Sequence, residues 1–191
     1  MMRTPFSPFY LLLFLLLFGS LAGSLINIPL FTIRTQTTPG YINSPLHGLL
    51  RGMVIPDSSS TIIAANVGGC VIPTLFSLYL MLSADLHLFE VTLATGIVIL
   101  ISYLVSRPIP GMGIGMPIFV APITAALIAI TINADNSAPL AYISGTLGVL
   151  IGADLLHLGD IPRVGAPVAS IGGAGTFDGI FITGIVAVLL A

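Results

Sequence analysis

Long apolar runs separated by short polar breaks dominate the chain and set its expected architecture. The runs occupy residues 8–26, 61–82, 88–106, 116–132, 139–158 and 171–190. Each approaches the length of about 20 residues that crosses a hydrocarbon core about 30 Å thick. The pattern predicts an all-α, polytopic membrane protein: one integral membrane domain over residues 1–191 with about six transmembrane helices. The first run, PFYLLLFLLLFGSLAGSLI, follows Arg3 and also has the look of a secretory signal. It is longer than an ordinary signal core, and the rest of the chain is itself apolar, so it reads as a retained first span.

The polar breaks differ in kind. Residues 27–60 hold Pro29, Pro39, Pro45 and Pro56, a density that argues against a long helix. They are expected to form an extramembrane loop with some extended pairing around residues 31–37. The second run, TIIAANVGGCVIPTLFSLYLML, is interrupted by Asn66, Gly68, Gly69 and Pro73, which loosen a helix and admit close backbone approach. Residues 107–115, RPIPGMGIG, space their glycines like a nucleotide-binding loop, but no βαβ unit surrounds them. A Pro/Gly-rich connection or partly re-entrant segment is the expectation. The fourth run opens at Pro117 and is expected to kink at Pro122.

The sixth run has a length problem. An unbroken helix from Thr176 to Leu190 covers only about 22 Å at 1.5 Å per residue, short of a crossing. Residues 170–175, SIGGAG, must then enter the membrane as partly non-helical backbone, a broken or re-entrant start to the last helix. Thr176 suits an N-cap, and Asp178 falls in the first turn, where the helix dipole favours negative charge. In the fifth run Ala141, Gly145, Gly148 and Gly152 share one stripe, a seam for tight packing, while Asp154 lies on nearly the opposite side. The fifth helix is therefore expected to be central.

Composition narrows the class. The chain is 56% hydrophobic and 6% charged, with a mean hydropathy of +1.13; soluble domains carry about 25% charged residues. A net charge of -2, with no lysine and scattered arginines, offers no patch for a nucleic acid. Cys70 has no second cysteine to pair with. Asp85 and His87 fall in a short turn and read as solvated groups. With six spans, Arg34, Arg51, Arg107 and Arg163 fall on one face and only Arg3 on the other. The positive-inside rule makes the first face cytoplasmic and puts both termini outside.

Acidic groups inside apolar runs cost about 2.5–3.5 kcal/mol each at a helix centre, so they mark candidate sites. Asp154 ends one run and Asp178 begins the next, at similar expected depth beside the glycine break. The candidate site comprises Asp154 and Asp178 as the working acids. Asn66, Gly172, Gly173, Gly175 and Thr176 join them around a bound ion or substrate. No cofactor is implied, and a resident metal is left open.

The blocks RPIPGMGI, AYISGTLGVLIGADLLHL and SIGGAGTFDGIFITGIVAVLLA resemble an uncharacterised prokaryotic family of multi-span membrane proteins, labelled as domain of unknown function sixteen-fourteen. That resemblance implies a multi-pass protein of a prokaryotic cell membrane and no particular activity. A looser resemblance is to intramembrane aspartyl proteases of the presenilin and prepilin-peptidase type. It implies a catalytic pair of Asp154 and Asp178, with Gly175 to Asp178 standing for the glycine–aspartate motif. Phe177 replaces the glycine expected before the second acid, and no proline-containing substrate motif follows.

Three functions compete. The leading expectation is a small ion- or proton-linked transporter or channel, which would use acids beside a discontinuous helix. An intramembrane hydrolase would hold one acid charged and the other protonated. A membrane scaffold would use the glycines for packing alone. Expected partners are the lipid bilayer, a cation or proton or a membrane peptide, and a second copy of the chain.

Overall fold

The computed structural model describes residues 8–34, 60–109, 113–164, 166–173 and 179–191, with side chains of the first helix described from Leu16 onward. Seven α-helical segments follow in order: α1 (Pro8–Gly23), α2 (Ile72–Ser83), α3 (Leu88–Val105), α4 (Val120–Ile132), α5 (Ser137–Val149), α6 (Ile161–Val164) and α7 (Gly179–Leu190). Five strands accompany them: β1 (Asn27–Arg34), β2 (Ser60–Asn66), β3 (Arg107–Ile109), β4 (Gly113–Gly115) and β5 (Val168–Ile171). A π-helical turn, Val67–Val71, leads into α2. Beyond α5 the rod continues as a π-helical segment, Leu150–Asp154, then a 3-10 segment, Leu155–Asp160, and ends in α6.

Each apolar run contributes a helix, and two rods are long and apolar enough to cross a membrane: Leu88–Val105 and Ser137–Val164. The helices run alternately up and down. At one end the intervening turns are tied together by side chains. Asn133 Nδ2 donates to Glu90 Oε2 at 3.1 Å, Asn136 Nδ2 to the Asp85 carbonyl at 3.2 Å, and Ser137 Oγ to the Ala191 carbonyl at 3.0 Å. Glu90 also accepts from the His87 N–H in a capping box, so the acid that starts α3 serves its own helix end.

The small-residue seam explains why α5 is the central rod. Residues from Leu140 to Thr146 are buried on every side, against α2, α3, α4 and α7. A Cβ on Gly148 would overlap Val98 Cγ1 and lie 2.6 Å from Val98 Cβ; one on Gly145 would meet Thr183 and Ala125. Gly148→Leu is therefore expected to push α3 and α5 apart and abolish the folded fraction in detergent. Leu147→Ala, at a half-buried neighbour, is expected to cost about 1–2 kcal/mol. Equal thermal stability of the two variants would remove the seam from the account.

The other end of the bundle corrects the all-α expectation. The protein is mostly helical, but a three-stranded sheet in the order β1-β2-β5 and a hairpin of β3 and β4 cap this end. The first residues of the second run, Ser60 to Asn66, are strand. They pair antiparallel with β1, from Asn27↔Asn66 to Arg34↔Ser60, and parallel with β5, from Ile62↔Val168 to Ala65↔Ile171. Thr61 and Ile63 are wholly buried and Ile62 is exposed, an alternation that the apolar composition of the run conceals. The first span likewise ends as helix at Gly23, and β1 begins the pairing four residues before the expected stretch; residues 35–59 lie outside the described residues.

Within RPIPGMGIG, residues 107–109 pair antiparallel with 113–115, Arg107 opposite Gly115 and Ile109 opposite Gly113, so the Pro/Gly-rich connection carries two short strands. Pro122 sits in the first turn of α4, where a proline removes no intrahelical bond, so it does not act as a mid-helix kink. Of the expected non-helical start to the last run, residues 168–171 are strand, while residues 174–178 lie outside the described residues and α7 is described from Gly179.

Candidate functional site

Asp154 owes its position to a change of helical pitch. It is the last residue of the π-helical segment, and the tighter 3-10 segment begins at the next residue. Wide π turns inside α-helical rods recur at functional sites because they re-aim a side chain. Here Gly152 allows the wide turn to press on α3: a Cβ there would overlap the Ile99 carbonyl oxygen and lie 3.0 Å from Ser102 Cβ. His157 braces the same turn. Its Nδ1 lies 3.1 Å from the Gly152 carbonyl, which only accepts, so Nδ1 carries the proton. The ring packs against Tyr103 with centroids 4.8 Å apart. His157 thus packs against α3.

The half-buried Asp154 carboxylate lines a cavity of about 390 Å³ at the sheet-capped end. The wall includes every residue of β4 and every residue of β5, together with Ile63, Leu158 and Ile161. Its side chains are mainly aliphatic, and strand backbone lines much of the rest. Among the described residues, Ser170 adds a side-chain oxygen to that of Asp154.

Beyond β5 the backbone turns sharply through Gly172 (φ +81°) and Gly173 (φ +88°), conformations that L side chains rarely adopt. The Gly173 N–H closes the turn on the Ser170 carbonyl at 3.1 Å. The Gly172 N–H then points at Asp154 Oδ2, 3.3 Å away. Gly172 is also in backbone contact with the π turn at the head of α2. A Cβ on Gly69 would overlap the Gly172 carbonyl oxygen, and a Cβ on Gly172 would lie 2.6 Å from Cys70 N. Two strand-to-helix transitions, one after β2 and one after β5, therefore lock together at their glycines, and Asp154 is bonded to the second.

Of the expected site residues, Asp154, Gly172 and Gly173 come together around the cavity. Asp178, Gly175 and Thr176 lie outside the described residues. Asn66 is one shell away and 1% exposed, and its amide is committed to the fold. Its Oδ1 accepts from Gly69 N at 2.7 Å, and its Nδ2 donates to the Ser24 carbonyl at 2.7 Å and to Asn27 Oδ1 at 3.1 Å. Ser170 Oγ completes this knot by donating to Asn27 Oδ1 at 2.6 Å.

Asn66→Ala orphans a buried N–H and a buried carbonyl, so a loss of about 2–4 kcal/mol in unfolding free energy is expected. Unchanged thermal unfolding would show that the knot carries no stability. Sequence reasoning passed over Val168 and the hairpin residues Gly113 to Gly115. Pro167 ahead of Val-Ala-Ser-Ile, and three residues including a glycine between RPI and GIG, were the available signals.

A bundle of apolar rods capped by short sheets, with an acid presented by a π turn into a cavity at the cap, defines a mostly helical protein with a candidate site at one end. The chain belongs to the family described as "Protein of unknown function (DUF1614)", which matches residues 21–190 and so spans both Asp154 and Asp178. No curated protein and no solved structure matches the chain.

Proposed function

We propose that this is a six-span integral membrane protein in which Asp154, acting with Asp178, hydrolyses a peptide bond of a membrane-associated polypeptide. The observation that carries the reading is the bond from Gly172 N–H to Asp154 Oδ2 at 3.3 Å. It ties the acid at the end of one rod to the turn that leads, six residues later, to the second acid. The membrane part rests on the outward faces of the helices. Leu82 is 81% exposed, Phe89 75% and Leu104 66%, a display that water-soluble monomers avoid. The arginine-bearing segments 27–34, 107–115 and 159–169 meet at the sheet end, and the positive-inside rule makes that end cytoplasmic.

In the proposed reaction one carboxylate takes a proton from water as its oxygen bonds to the scissile carbonyl carbon. The other, protonated, gives its proton to the carbonyl oxygen. The tetrahedral centre then collapses: the C–N bond breaks, the nitrogen leaves as an amine after taking a proton, and the carboxyl product keeps the water oxygen. Two carboxylates close together split their pKa values and so supply one charged and one neutral partner. An ion-linked transporter, the other candidate, needs several oxygen ligands around the acid. At Asp154 the carboxylate is instead met by an N–H donor, which suits a peptide-binding acid better than a cation ligand.

The test is reconstitution of the full chain in liposomes with single-span reporter peptides, products being read by mass spectrometry. Cleavage that Asp154→Asn removes supports the reading. No cleavage, with a pH- or cation-dependent flux that Asp154→Asn removes, would replace it by transport.

A further inference from the structure

We propose that the Asp154 cavity receives its polypeptide as an added β-strand, inserted between β5 and β4 so that the sheet and the hairpin become one. The inference rests on the peptide-site reading above and specifies how the substrate is held. Three observations carry it.

The first is topological. Among the described residues, β5 is the outer strand of the order β1-β2-β5, and β4 is bonded to β3 on one side only. Each therefore has an edge that its own sheet does not use, and both strands line the same cavity along their whole length.

The second is the phase of hydrogen bonding. In a parallel ladder alternate residues turn both backbone groups to the same neighbour. The bond from Ile62 N–H to the Pro167 carbonyl, 3.0 Å, together with the register Ile62↔Val168, fixes which residues these are. Ala169 faces β2, and Val168 and Ser170 face outward. The Ser170 carbonyl is taken by Gly173 N–H. What β5 presents outward is the N–H and carbonyl of Val168 and the N–H of Ser170, the pattern an incoming strand completes.

The third is the position of the acid. Asp154 stands on the wall of that cavity and is bonded at the end of β5. A strand laid along β5 passes its backbone, and not a side chain alone, in front of the carboxylate. The aliphatic wall, with Ile63, Ile114, Ile161 and Ile171, suits β-branched or other apolar side chains at alternate positions of the segment. Backbone recognition of this kind selects an extended conformation over a helix, so a substrate must present an unwound stretch at the bundle end.

The experiment uses the full chain carrying Asp154→Asn in lipid nanodiscs, so that nothing is cut. The probe is a fluorescent peptide of about six residues, alternating valine and threonine between lysine ends, roughly 20 Å when extended. Two further versions carry N-methyl groups on the N–H groups of one edge or of the other. The parent peptide is expected to bind saturably and each methylated version about tenfold more weakly or worse. A dock on one edge alone would tolerate either methylated version, because the opposite edge stays intact. Equal binding of all three peptides, or no saturable binding, overturns the proposal.

Val168→Pro removes an outward N–H and leaves the ladder to β2 intact. It is expected to weaken the parent peptide about tenfold without lowering the melting temperature, whereas Ala169→Pro breaks the ladder and lowers it. A fall in melting temperature for Val168→Pro without peptide would show that the edge is already held by the chain itself, which also overturns the proposal. Cleavage is read separately with unsubstituted protein. Edge-dependent binding with no cleavage sinks the hydrolytic reading and keeps the strand. Cleavage of parent and methylated peptides at equal rates does the reverse.

Discussion

Asp154→Asn and Asp178→Asn should each abolish the same activity, by about 10³-fold or more, and the double change should subtract almost nothing further. Groups that act as one unit give this non-additive result, since removing either leaves the other without its counterpart. Asn keeps the size and one oxygen of Asp, so the Gly172 N–H to residue 154 retains an acceptor and folding is preserved. The measurement is product formation from a single-span reporter in liposomes, with melting temperature as the control. If the two changes act independently, each with a modest loss that multiplies in the double variant, the two acids do not share a site. An Asp154→Asn protein with full activity would remove the cavity from the chemistry altogether.

The second large effect is structural and has an internal control. Gly69→Ala places a methyl group on the Gly172 carbonyl oxygen, a backbone atom that has no rotamer by which to retreat. Gly172→Ala adds to the overlap a backbone held at φ +81°. Left-handed geometry costs a non-glycine residue about 1–2 kcal/mol, and forced overpacking about 1–3 more. Gly69→Ala should therefore lose about 1–3 kcal/mol and Gly172→Ala about 2–5 kcal/mol and, in a chain of ordinary marginal stability, much of the folded yield. Gly96→Ala is the contrast. It lies in α3 with open space where its Cβ would go, so it should be neutral or stabilise by about 0.5–1 kcal/mol. Size-exclusion profiles and thermal unfolding in detergent would read all three. Similar behaviour of Gly69→Ala and Gly96→Ala would mean that the two strand-to-helix transitions do not touch in the working protein.

The helical rods were legible because six apolar runs of bilayer length leave few other solutions. The central place of α5 followed from residues as small as Gly145 and Gly148. That the last run does not begin as helix was legible from simple arithmetic on length, and residues 168–171 are strand. The strands were not. Ser60 to Asn66 reads STIIAAN at the head of a long apolar run, and hydropathy carries no sign of where extended backbone gives way to helix. The pairing that decides it lies far away in the chain, at β1 and β5. Asn66 was singled out as polar in an apolar run, a sound signal whose meaning depends on geometry: the amide caps a turn and joins a strand end to Asn27 and Ser170. For Asp154 the glycines of the seam were visible, but the π turn that aims the acid was not, because wide and ordinary turns share the same residues.

The pairing of β2 with β5 also sets a timetable. Thr61 Oγ1 bonds the Ala166 carbonyl across 105 residues, and the whole contact between these strands spans a similar interval. Contacts so distant in sequence form late, after the chain entropy of the intervening loop has been overcome. A nascent chain leaving the ribosome can form its early rods one after another while β2 still waits for its neighbour. The acid in the fifth run meets its Gly172 partner only after that residue has emerged, so the described cavity wall cannot close before residue 173 is made. Products truncated before residue 166 would carry the earlier rods without the cavity.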